Sequence, residues 1–490
     1  MIAWTIYITF GGAVLSLVLP RAFARWIAML ATIAGLALGI MVFIGTPIPD
    51  LAQFKTIVRV PWVPGLGMNY HLAFDGVSLT MVLVTGISAV GTVLFSWDVE
   101  HRQNEFFFWL LLVVAGCYGV FLSADLFLLF VFYELVIVPK YFLIAIFGSN
   151  NKEYGAMKLT LYSFFGGMLV FVGILVAYVT AGSLDLSRLS QFEFSPQLQF
   201  WAFPVLFLGF AVLAGIWPLH TWAPTGHAAA PTAGSMLLAG IVMKLGSYAG
   251  LRVAMNVFPQ GFQVWSKWIA VLAVIGIVYA AAVALRQRDL KFVIGYSSVS
   301  HMGFVLLGFA TANALGVSGA VLQMFSHGVI AALLFAVAGR MIYRRTHTRE
   351  LGALSRLNLG NAMPFAGFTF VIAAAASMGI PGFSGFAAEI TILIGTWKTY
   401  PVAVWIVGAG IVLVAAFTLR ALKLSFFGDH APEGELARNA GSSRDKFDPI
   451  TVSEKIGACM LMLTTLVIGV YPKLLLDRIM PAVETMRFLK

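Results

Sequence analysis

Long apolar stretches alternate with short polar ones along almost the whole chain. The stretches are roughly 17 to 25 residues long, the length that an α-helix needs to cross a hydrocarbon layer about 30 Å thick. The pattern therefore predicts an all-α polytopic membrane protein with a single transmembrane domain over residues 1–490. It predicts about fourteen transmembrane helices, at roughly 2–19, 26–45, 77–97, 106–122, 125–147, 156–180, 199–221, 231–256, 265–285, 291–310, 316–340, 362–398, 401–427 and 455–475.

The composition agrees with this prediction and excludes a soluble protein. Of the 490 residues, 60% are hydrophobic and 11% are charged. The 48 glycines would let helices approach closely, and the 12 tryptophans are typical of membrane interfaces. Cys117 and Cys459 lie in apolar stretches and form neither a disulfide framework nor a metal-ligand spacing. We therefore expect no metal site and no nucleic-acid partner.

The distribution of basic residues predicts how the chain is oriented. The 31 Lys and Arg exceed the 21 Asp and Glu by ten. Nineteen of the 31 fall in odd-numbered loops, ten in even-numbered loops and the tail, and Lys140 and Lys244 inside spans. Because cytoplasmic loops are enriched in Lys and Arg, both termini are expected on the periplasmic side of a bacterial inner membrane. Residues 428–454 would form a cytoplasmic loop, and residues 183–194 an interfacial helix.

Two spans contain residues that interrupt a helix. Pro218 lies in the seventh span, and Pro381 and Gly382 lie in the middle of the twelfth. Broken helices at membrane depth are tolerated only where protein or water satisfies the freed backbone groups. Breaks in two separated places are typical of transporters built from inverted repeats. We therefore predict two inverted repeats with broken helices in spans 7 and 12, and half-repeat cores at about 125–256 and 265–427.

Ionisable side chains inside the spans are few, and each is costly in a bilayer. Glu134 lies deep in LFLLFVFYELVIVPKYFLI, where it is either a neutral packing residue or a functional acid. Lys140 follows Pro139, so it either turns into the same interior or extends to the lipid headgroups. Lys244 lies far from both ends of a glycine-containing span, which favours a functional lysine in the bundle interior.

Two histidines and a second acid extend this series. His301 and His327 lie in consecutive apolar spans with serines nearby. A lone histidine on an apolar face is more often a core residue, but a pair whose nitrogens can pass a proton at physiological pH favours a proton path. Glu389 follows the break in the twelfth span. Together these residues predict a lateral relay in which protonation of one site affects the next: Glu134, Lys140, Lys244, His301, His327 and Glu389.

Four long motifs resemble a known family. They are LFVFYELVIVPKYFLIAIFG, WPLHTWAPTGHAAAPTAGSMLLAGIVMKLGSYAGLR, RDLKFVIGYSSVSHMGFVLLG and MGIPGFSGFAAE. Together they resemble the antiporter-like subunits of respiratory complex I, which are shared with Mrp-type sodium/proton antiporters. The resemblance covers nearly the whole chain. The acid at position 389 makes the chain similar to the M type of these subunits, which is the mitochondrial subunit 4 type. The L and N types carry lysine at this position.

The resemblance implies a role for each matching position. Glu134 would be the glutamate of span 5, and Lys244 the central lysine of span 8. His327 would link them to Glu389, the exit-side acid of span 12. One position departs from the family pattern: Leu213 stands where a lysine usually precedes the span-7 break. We hypothesise that Lys140, at a usually apolar position of span 5, has taken over the role of that lysine.

The resemblance also implies function, cofactors and partners. The chain would translocate protons in a membrane arm, coupled to NADH:quinone electron transfer in other subunits, without independent catalytic activity. FMN, iron–sulfur clusters and quinone would bind in partner subunits and none in this chain. L-like and N-like membrane-arm subunits and the lipid bilayer would be its neighbours. The alternative is a subunit of an Mrp-like cation/proton antiporter.

Overall fold

Helices make up most of the protein. A computed structural model describes residues 1–428 and 447–489, so most of the predicted loop 428–454 lies outside the described residues. Up to the middle of the chain the helices are α1 Trp4–Val18, α2 Arg21–Gly45, α3 Gly76–Leu94, α4 Gln103–Leu122, α5 Leu126–Leu135, α6 Ile137–Phe147, α7 Lys152–Ala181, α8 Leu186–Leu189, α9 Pro196–Ala214, α10 Trp222–Ala229, α11 Thr232–Leu237 and α12 Met243–Ala249.

The second half continues the same architecture. Its helices are α13 Pro259–Arg286, α14 Leu290–Ala310, α15 Ala314–Ala336, α16 Arg344–Thr346, α17 Leu351–Leu354, α18 Leu359–Ala362, α19 Pro364–Ser377, α20 Ser384–Thr399, α21 Pro401–Phe426, α22 Val452–Val470 and α23 Lys473–Glu484. Short π-helical turns continue α11, α12 and α15, at Leu238–Val242, Gly250–Met255 and Val337–Tyr343.

Membrane-length helices dominate the described residues. Twelve continuous helical segments there are long and apolar enough to cross a bilayer, and two shorter apolar helices, Trp4–Val18 and Pro364–Ser377, accompany them. The prediction of an all-α polytopic membrane protein is therefore confirmed, whereas the count of fourteen spans stays a prediction. The expected interfacial helix over 183–194 is reduced to the single turn Leu186–Leu189, which begins at the N-cap Asp185.

The two halves repeat one backbone contact on opposite faces. In the first half, the N–H of Leu126 donates to the carbonyl of Leu184 at 2.7 Å, next to an isolated bridge between Asp125 and Asp185. In the second half, the N–H of Leu290 donates to the carbonyl of Arg349 at 2.9 Å, beside a bridge between Asp289 and Glu350. Such a pair of equivalent contacts is what inverted repeats would produce.

A β-hairpin covers one face of the bundle between α2 and α3, in a segment where the apolar pattern predicts no span. Its strands β1 (Lys55–Val63) and β2 (Met68–Phe74) are antiparallel. We call this side the hairpin face and the other the opposite face.

Under the hairpin, burial alone would raise the pKa of the Asp185 carboxyl. Contacts with His71 and Ser187 and the charge of Arg59 outweigh burial and hold that pKa below its usual range.

The spans break where proline and glycine predict. In the seventh span, α9 ends at Ala214 and Gly215 adopts a left-handed conformation with φ of 68°. The indole Nε1 of Trp222, in α10 beyond the break, donates to the carbonyl of Val212 at 2.7 Å and satisfies one of the freed backbone groups. In the twelfth span, residues 378–383 separate α19 from α20. The predicted broken helices are therefore present.

Several basic residues counted as loop residues in the sequence analysis lie buried instead. Arg252 pairs with Asp75, the N-cap of α3, and both side chains are nearly inaccessible. Arg340 contacts Glu454 at 2.8 Å. Buried charges are tolerated when they are paired in this way. The count of basic residues per loop therefore overstates how many of them face water.

Breaking the Asp75–Arg252 pair should destabilise the protein. We expect Asp75→Asn to cost about 3–5 kcal/mol, because Arg252 would keep a buried charge without its partner. The midpoint of thermal unfolding of the purified assembly measures this loss. The control Glu105→Gln removes the partly exposed partner of Arg102, in an ion pair at the protein surface, and should change the midpoint little. Equal effects of the two substitutions would contradict the prediction.

Candidate functional site

Lys244 lies at the centre of the bundle. Its side chain is fully buried in α12, between two π-helical segments. The Nζ donates to the carbonyl of Ala239 and lies 2.7 Å from Nδ1 of His327. Because an ammonium can only donate, Nδ1 of His327 accepts this bond whenever Lys244 is charged. The wider π turns, which are frequent at functional sites, leave the Ala239 carbonyl free to receive the lysine.

The two predicted histidines are adjacent. The rings of His301 in α14 and His327 in α15 stack with their centroids 5.4 Å apart and their planes at 29°. Lys244 therefore contacts His327, and His327 in turn contacts His301. The two histidines are bases that can accept a proton, and they extend the series from α12 into the second half of the protein.

His301 joins this contact to the break in the twelfth span. Its Nδ1 lies 2.8 Å from the carbonyl of Ser297, and its Nε2 lies 3.0 Å from the carbonyl of Ser377. Ser377 is the last residue of α19, so its carbonyl has no partner within the helix. His301 therefore satisfies a backbone group that the helix break leaves free. Each ring nitrogen therefore faces a carbonyl oxygen that can accept a hydrogen bond when that nitrogen carries a proton.

Glu389 completes a buried row of four ionisable side chains. Its Oε1 lies 3.6 Å from Nε2 of His301, and its side chain is 8% exposed. Gly379 makes room for the carboxylate, because a Cβ at this position would lie 2.6 Å from Oε2 of Glu389. Gly379 also has φ of 68°, a conformation that favours glycine. We call Lys244, His327, His301 and Glu389 the central row.

A methyl group at Gly379 should displace Glu389. We expect Gly379→Ala to reduce proton translocation through this chain by up to about a hundredfold, because a shift of about 1 Å in a reacting group can have that effect. The matched control is Gly382→Ala, which shares a positive φ but has open space at its Cβ position. The measurement is acidification of vesicles that contain the whole complex. Equal loss in both variants would assign the effect to backbone strain instead.

Glu134 and Lys140 lie apart from the central row. Glu134 is partly buried against α7, where a Cβ on Gly167 would collide with its Oε1. Its Oε1 and the Nζ of Lys140 have no hydrogen-bond partner among the described residues. The two side chains also form no ion pair within 4.0 Å there. The two residues are six positions apart along α5 and α6, which places them on different sides of a helix.

Lys140 points into the protein rather than towards the headgroups. It is 2% exposed and lines a small cavity together with Val113 of α4. The other wall belongs to α11 and the π turn that leads to Lys244, with Gly234, Leu237, Leu238 and Val242. Leu213, where the resemblance implies a lysine, is fully buried near the end of α9. Lys140 therefore lies in the interior of the protein. It follows Glu134 in sequence and faces the helix that leads to Lys244.

Two buried bases near the seventh-span break were not among the predicted site residues. The ring of His227 stacks on Phe335 at 4.7 Å, and its nitrogens have no hydrogen-bond partner in the described part of the chain. Lys291, in the first turn of α14, donates to the carbonyl of Ala230 at 2.7 Å. Lys291 follows the polar segment RQRD closely, and the sequence pattern therefore predicts that it lies in a loop.

No group of three or more potential metal ligands converges within residues 1–428 and 447–489.

Comparisons with known proteins place this arrangement in a family. Residues 123–416 match the family described as "NADH:quinone oxidoreductase/Mrp antiporter, TM". The NADH-quinone oxidoreductase subunit M of Rhodobacter capsulatus is 35% identical over 473 residues, which cover 94% of this chain and 90% of that protein. The chain belongs to the NADH:quinone oxidoreductase/Mrp antiporter family. NAD(P)H-quinone oxidoreductase chain 4 1 of Synechococcus elongatus is 37% identical, over 92% of this chain and 84% of that protein.

Solved structures of this family share the fold over its full length. A chain of respiratory complex I from Thermus thermophilus with bound NADH has a TM-score of 0.88 and 25% identity, and covers 100% of both chains. A chain of the Mrp complex from Dietzia sp. has a TM-score of 0.87 at 20% identity, over 99% of this chain and 97% of that one. The second likeness concerns the fold alone. The resemblance to this family drawn from the four motifs is therefore confirmed.

Proposed function

We propose that this chain is a proton-translocating subunit in the membrane arm of a redox-driven complex of the NADH:quinone oxidoreductase type. The observation that carries the proposal is the central row, in which four ionisable side chains lie in succession on four helices, α12, α15, α14 and α20. Such groups are costly in a membrane and are typical of proton relays. The curated relatives at 35% and 37% identity are subunits of quinone oxidoreductases.

The central row can pass a proton by successive transfers. Nζ of Lys244 gives its proton to Nδ1 of His327, 2.7 Å away, which leaves a neutral amine and an imidazolium. The imidazolium then releases the proton on Nε2 to neutral His301, whose ring stacks on that of His327 with the centroids 5.4 Å apart. His301 takes up this proton on Nδ1 and gives the proton it already carries on Nε2 to Oε1 of the Glu389 carboxylate, 3.6 Å away. The first two transfers move one positive charge to the next group and the last neutralises the carboxylate, so the groups are coupled through a low-dielectric interior.

Lys140 would take the place of the missing span-7 lysine in the first half of the relay. It is buried, it has no hydrogen-bond partner among the described residues, and its cavity is bounded by the helix that leads to Lys244. Leu213 cannot hold a charge. Glu134, on the other side of the α5–α6 break, would then affect the charge on Lys140 through space rather than by direct contact.

The remaining parts of the function would belong to other subunits. This chain would hold no cofactor and have no independent catalytic activity, while FMN, iron–sulfur clusters and quinone would bind to its partners. L-like and N-like subunits would flank it in a bacterial inner membrane, with both termini in the periplasm. A second candidate is a subunit of an Mrp-like cation/proton antiporter, since the fold of an Mrp chain is about as similar as that of a complex I chain.

Purification from native membranes tests the proposal. A tag on this chain should recover an assembly that contains flavin and iron–sulfur subunits, which optical spectra and mass spectrometry would identify. Recovery of an ion-translocating assembly without redox subunits would overturn the proposal in favour of the antiporter. The same preparation, reconstituted in vesicles, should acidify the lumen when an electron donor and a quinone are supplied.

A further inference from the structure

A pocket with a basic rim lies on the opposite face of the bundle. Its volume is about 430 Å³, and it lies where the ends of α3 and α6 meet the start of α14 and the end of α15. We call it the basic pocket. Its cationic side chains are Lys291, Arg340 and Arg344, and its aromatic wall includes Phe95, Phe106 and Phe147.

The charges around the basic pocket do not balance. None of the described residues that line it is an Asp or a Glu. The carboxylates just outside are already engaged: Asp98 with Arg340 at 2.6 Å and with Arg344 at 3.0 Å, and Asp289 with Arg349 at 3.2 Å. Glu454 binds Arg340 and Arg345, both at 2.8 Å. Among the described residues, four arginines therefore share these three carboxylates and Lys291 pairs with none, so the five cations exceed the acids by two.

Lys291 is the cation that these carboxylates leave without an ion-pair partner. It is 2% exposed. Its Nζ donates to the carbonyl of Ala230 at 2.7 Å and to Oγ of Ser235 at 3.2 Å. An ammonium has three donors, so one remains for a ligand in the pocket. A buried charge without a counter-charge is costly, and an anion in the pocket would remove that cost.

The shape of the basic pocket indicates the kind of anion. Apolar and aromatic side chains form much of its wall, and the hydroxyls of Ser96, Ser149 and Thr232 lie among them. We propose that the basic pocket binds a phosphate group, with Lys291 at its base and Arg344 at its mouth. The apolar wall fits the glycerol and acyl portion of a phospholipid, and basic pockets between membrane helices bind such headgroups. Free inorganic phosphate offers the same chemistry without using that wall.

A bound phosphate would also brace the junction between α10 and α11. The Lys291 ammonium already ties α14 to Ala230, the C-cap of α10, and to Ser235 of α11. A phosphate held by Lys291 and Arg344 would connect these elements to α16, which continues α15. The site would thereby join the two halves at the face opposite the hairpin.

Counting bound phospholipids tests the proposal. The intact complex would be purified in mild detergent, washed until weakly bound lipid is lost, and analysed by native mass spectrometry. We expect the wild type to retain one more anionic phospholipid than Lys291→Gln or Arg344→Gln. Lys291→Arg should retain it, and so should the control Arg288→Gln, which removes an exposed cation from the same face outside the pocket.

A second arm separates the two sources of phosphate. The washed complex would be incubated with radiolabelled inorganic phosphate and its binding measured by equilibrium dialysis. Binding that Lys291→Gln and Arg344→Gln abolish, without any difference in lipid count, would support the site and assign free phosphate as its ligand. Identical lipid counts and identical phosphate binding in wild type and both variants would overturn the proposal. Arg344 is partly exposed, so its variant stays informative if Lys291→Gln fails to assemble.

Discussion

Replacing Lys244 by Met should stop proton translocation through this chain. The side chain is fully buried and its Nζ is the group that contacts Nδ1 of His327. Met has nearly the same length and fills the same volume, but it carries no transferable proton. We expect translocation through this chain to fall by about a hundredfold or more, the contribution typical of a positioned acid or base. The initial rate of acidification in vesicles that contain the whole complex should then lose the share that this chain contributes.

The control is Lys267→Met. Lys267 is exposed near the start of α13, away from the central row, so its loss removes a lysine without breaking the relay. We expect this variant to translocate protons like the wild type. Assembly of both variants is checked by the subunit composition of the purified complex. Unchanged acidification in Lys244→Met would show that protons do not pass through Lys244.

Lys140→Met should have an effect of similar size. If Lys140 replaces the lysine missing at Leu213, its removal interrupts the relay between Glu134 and Lys244. We expect proton translocation through this chain to fall by about a hundredfold, although electron transfer persists when the membrane is made permeable to protons. Acidification and electron-transfer rates, measured on the same preparation, check this prediction. Normal translocation by Lys140→Met would refute the exchange of roles.

A second substitution tests whether position and charge are both required. Leu213 is buried at the end of α9, which packs against α12 and therefore lies close to Lys244. Adding Leu213→Lys to Lys140→Met restores a lysine at the usual family position. We expect the double variant to recover a substantial part of the translocation rate. Failure to recover, in a complex that assembles normally, would mean that Lys140 acts from its own position and is no substitute for residue 213.

The membrane fold and the break positions follow from local features of the sequence. The length of an apolar stretch is sufficient to predict a span, because the bilayer requires about 20 apolar residues in a helix. Pro218 and Gly382 indicate the breaks, because proline removes a backbone donor and glycine permits a positive φ. Lys244 and Glu389 could be recognised as candidates because an ionisable side chain inside an apolar stretch is costly in a membrane and therefore indicates a function.

The contacts within the site could not be predicted in the same way. Whether Glu134 pairs with Lys140 depends on the local geometry between α5 and α6, which meet at Val136, three residues before the proline that predicts a kink. His301 contacts Ser377, 76 residues away, and Lys244 contacts His327, 83 residues away. Such pairs are set by helix packing, which single-chain periodicity does not encode. The hairpin is also not predicted. Its strands of nine and seven residues lie in a segment that is too polar to be a span.

The number of protons moved per pair of electrons tests the central row most directly. It would be measured in vesicles for the wild-type complex, Lys244→Met, Glu389→Gln and the double variant. If one proton path runs through both residues, each single variant removes the same share and the double variant removes no more, because residues that act as a unit are not additive. An unchanged ratio in either single variant, or a loss in the double variant equal to the two single losses combined, would contradict the account.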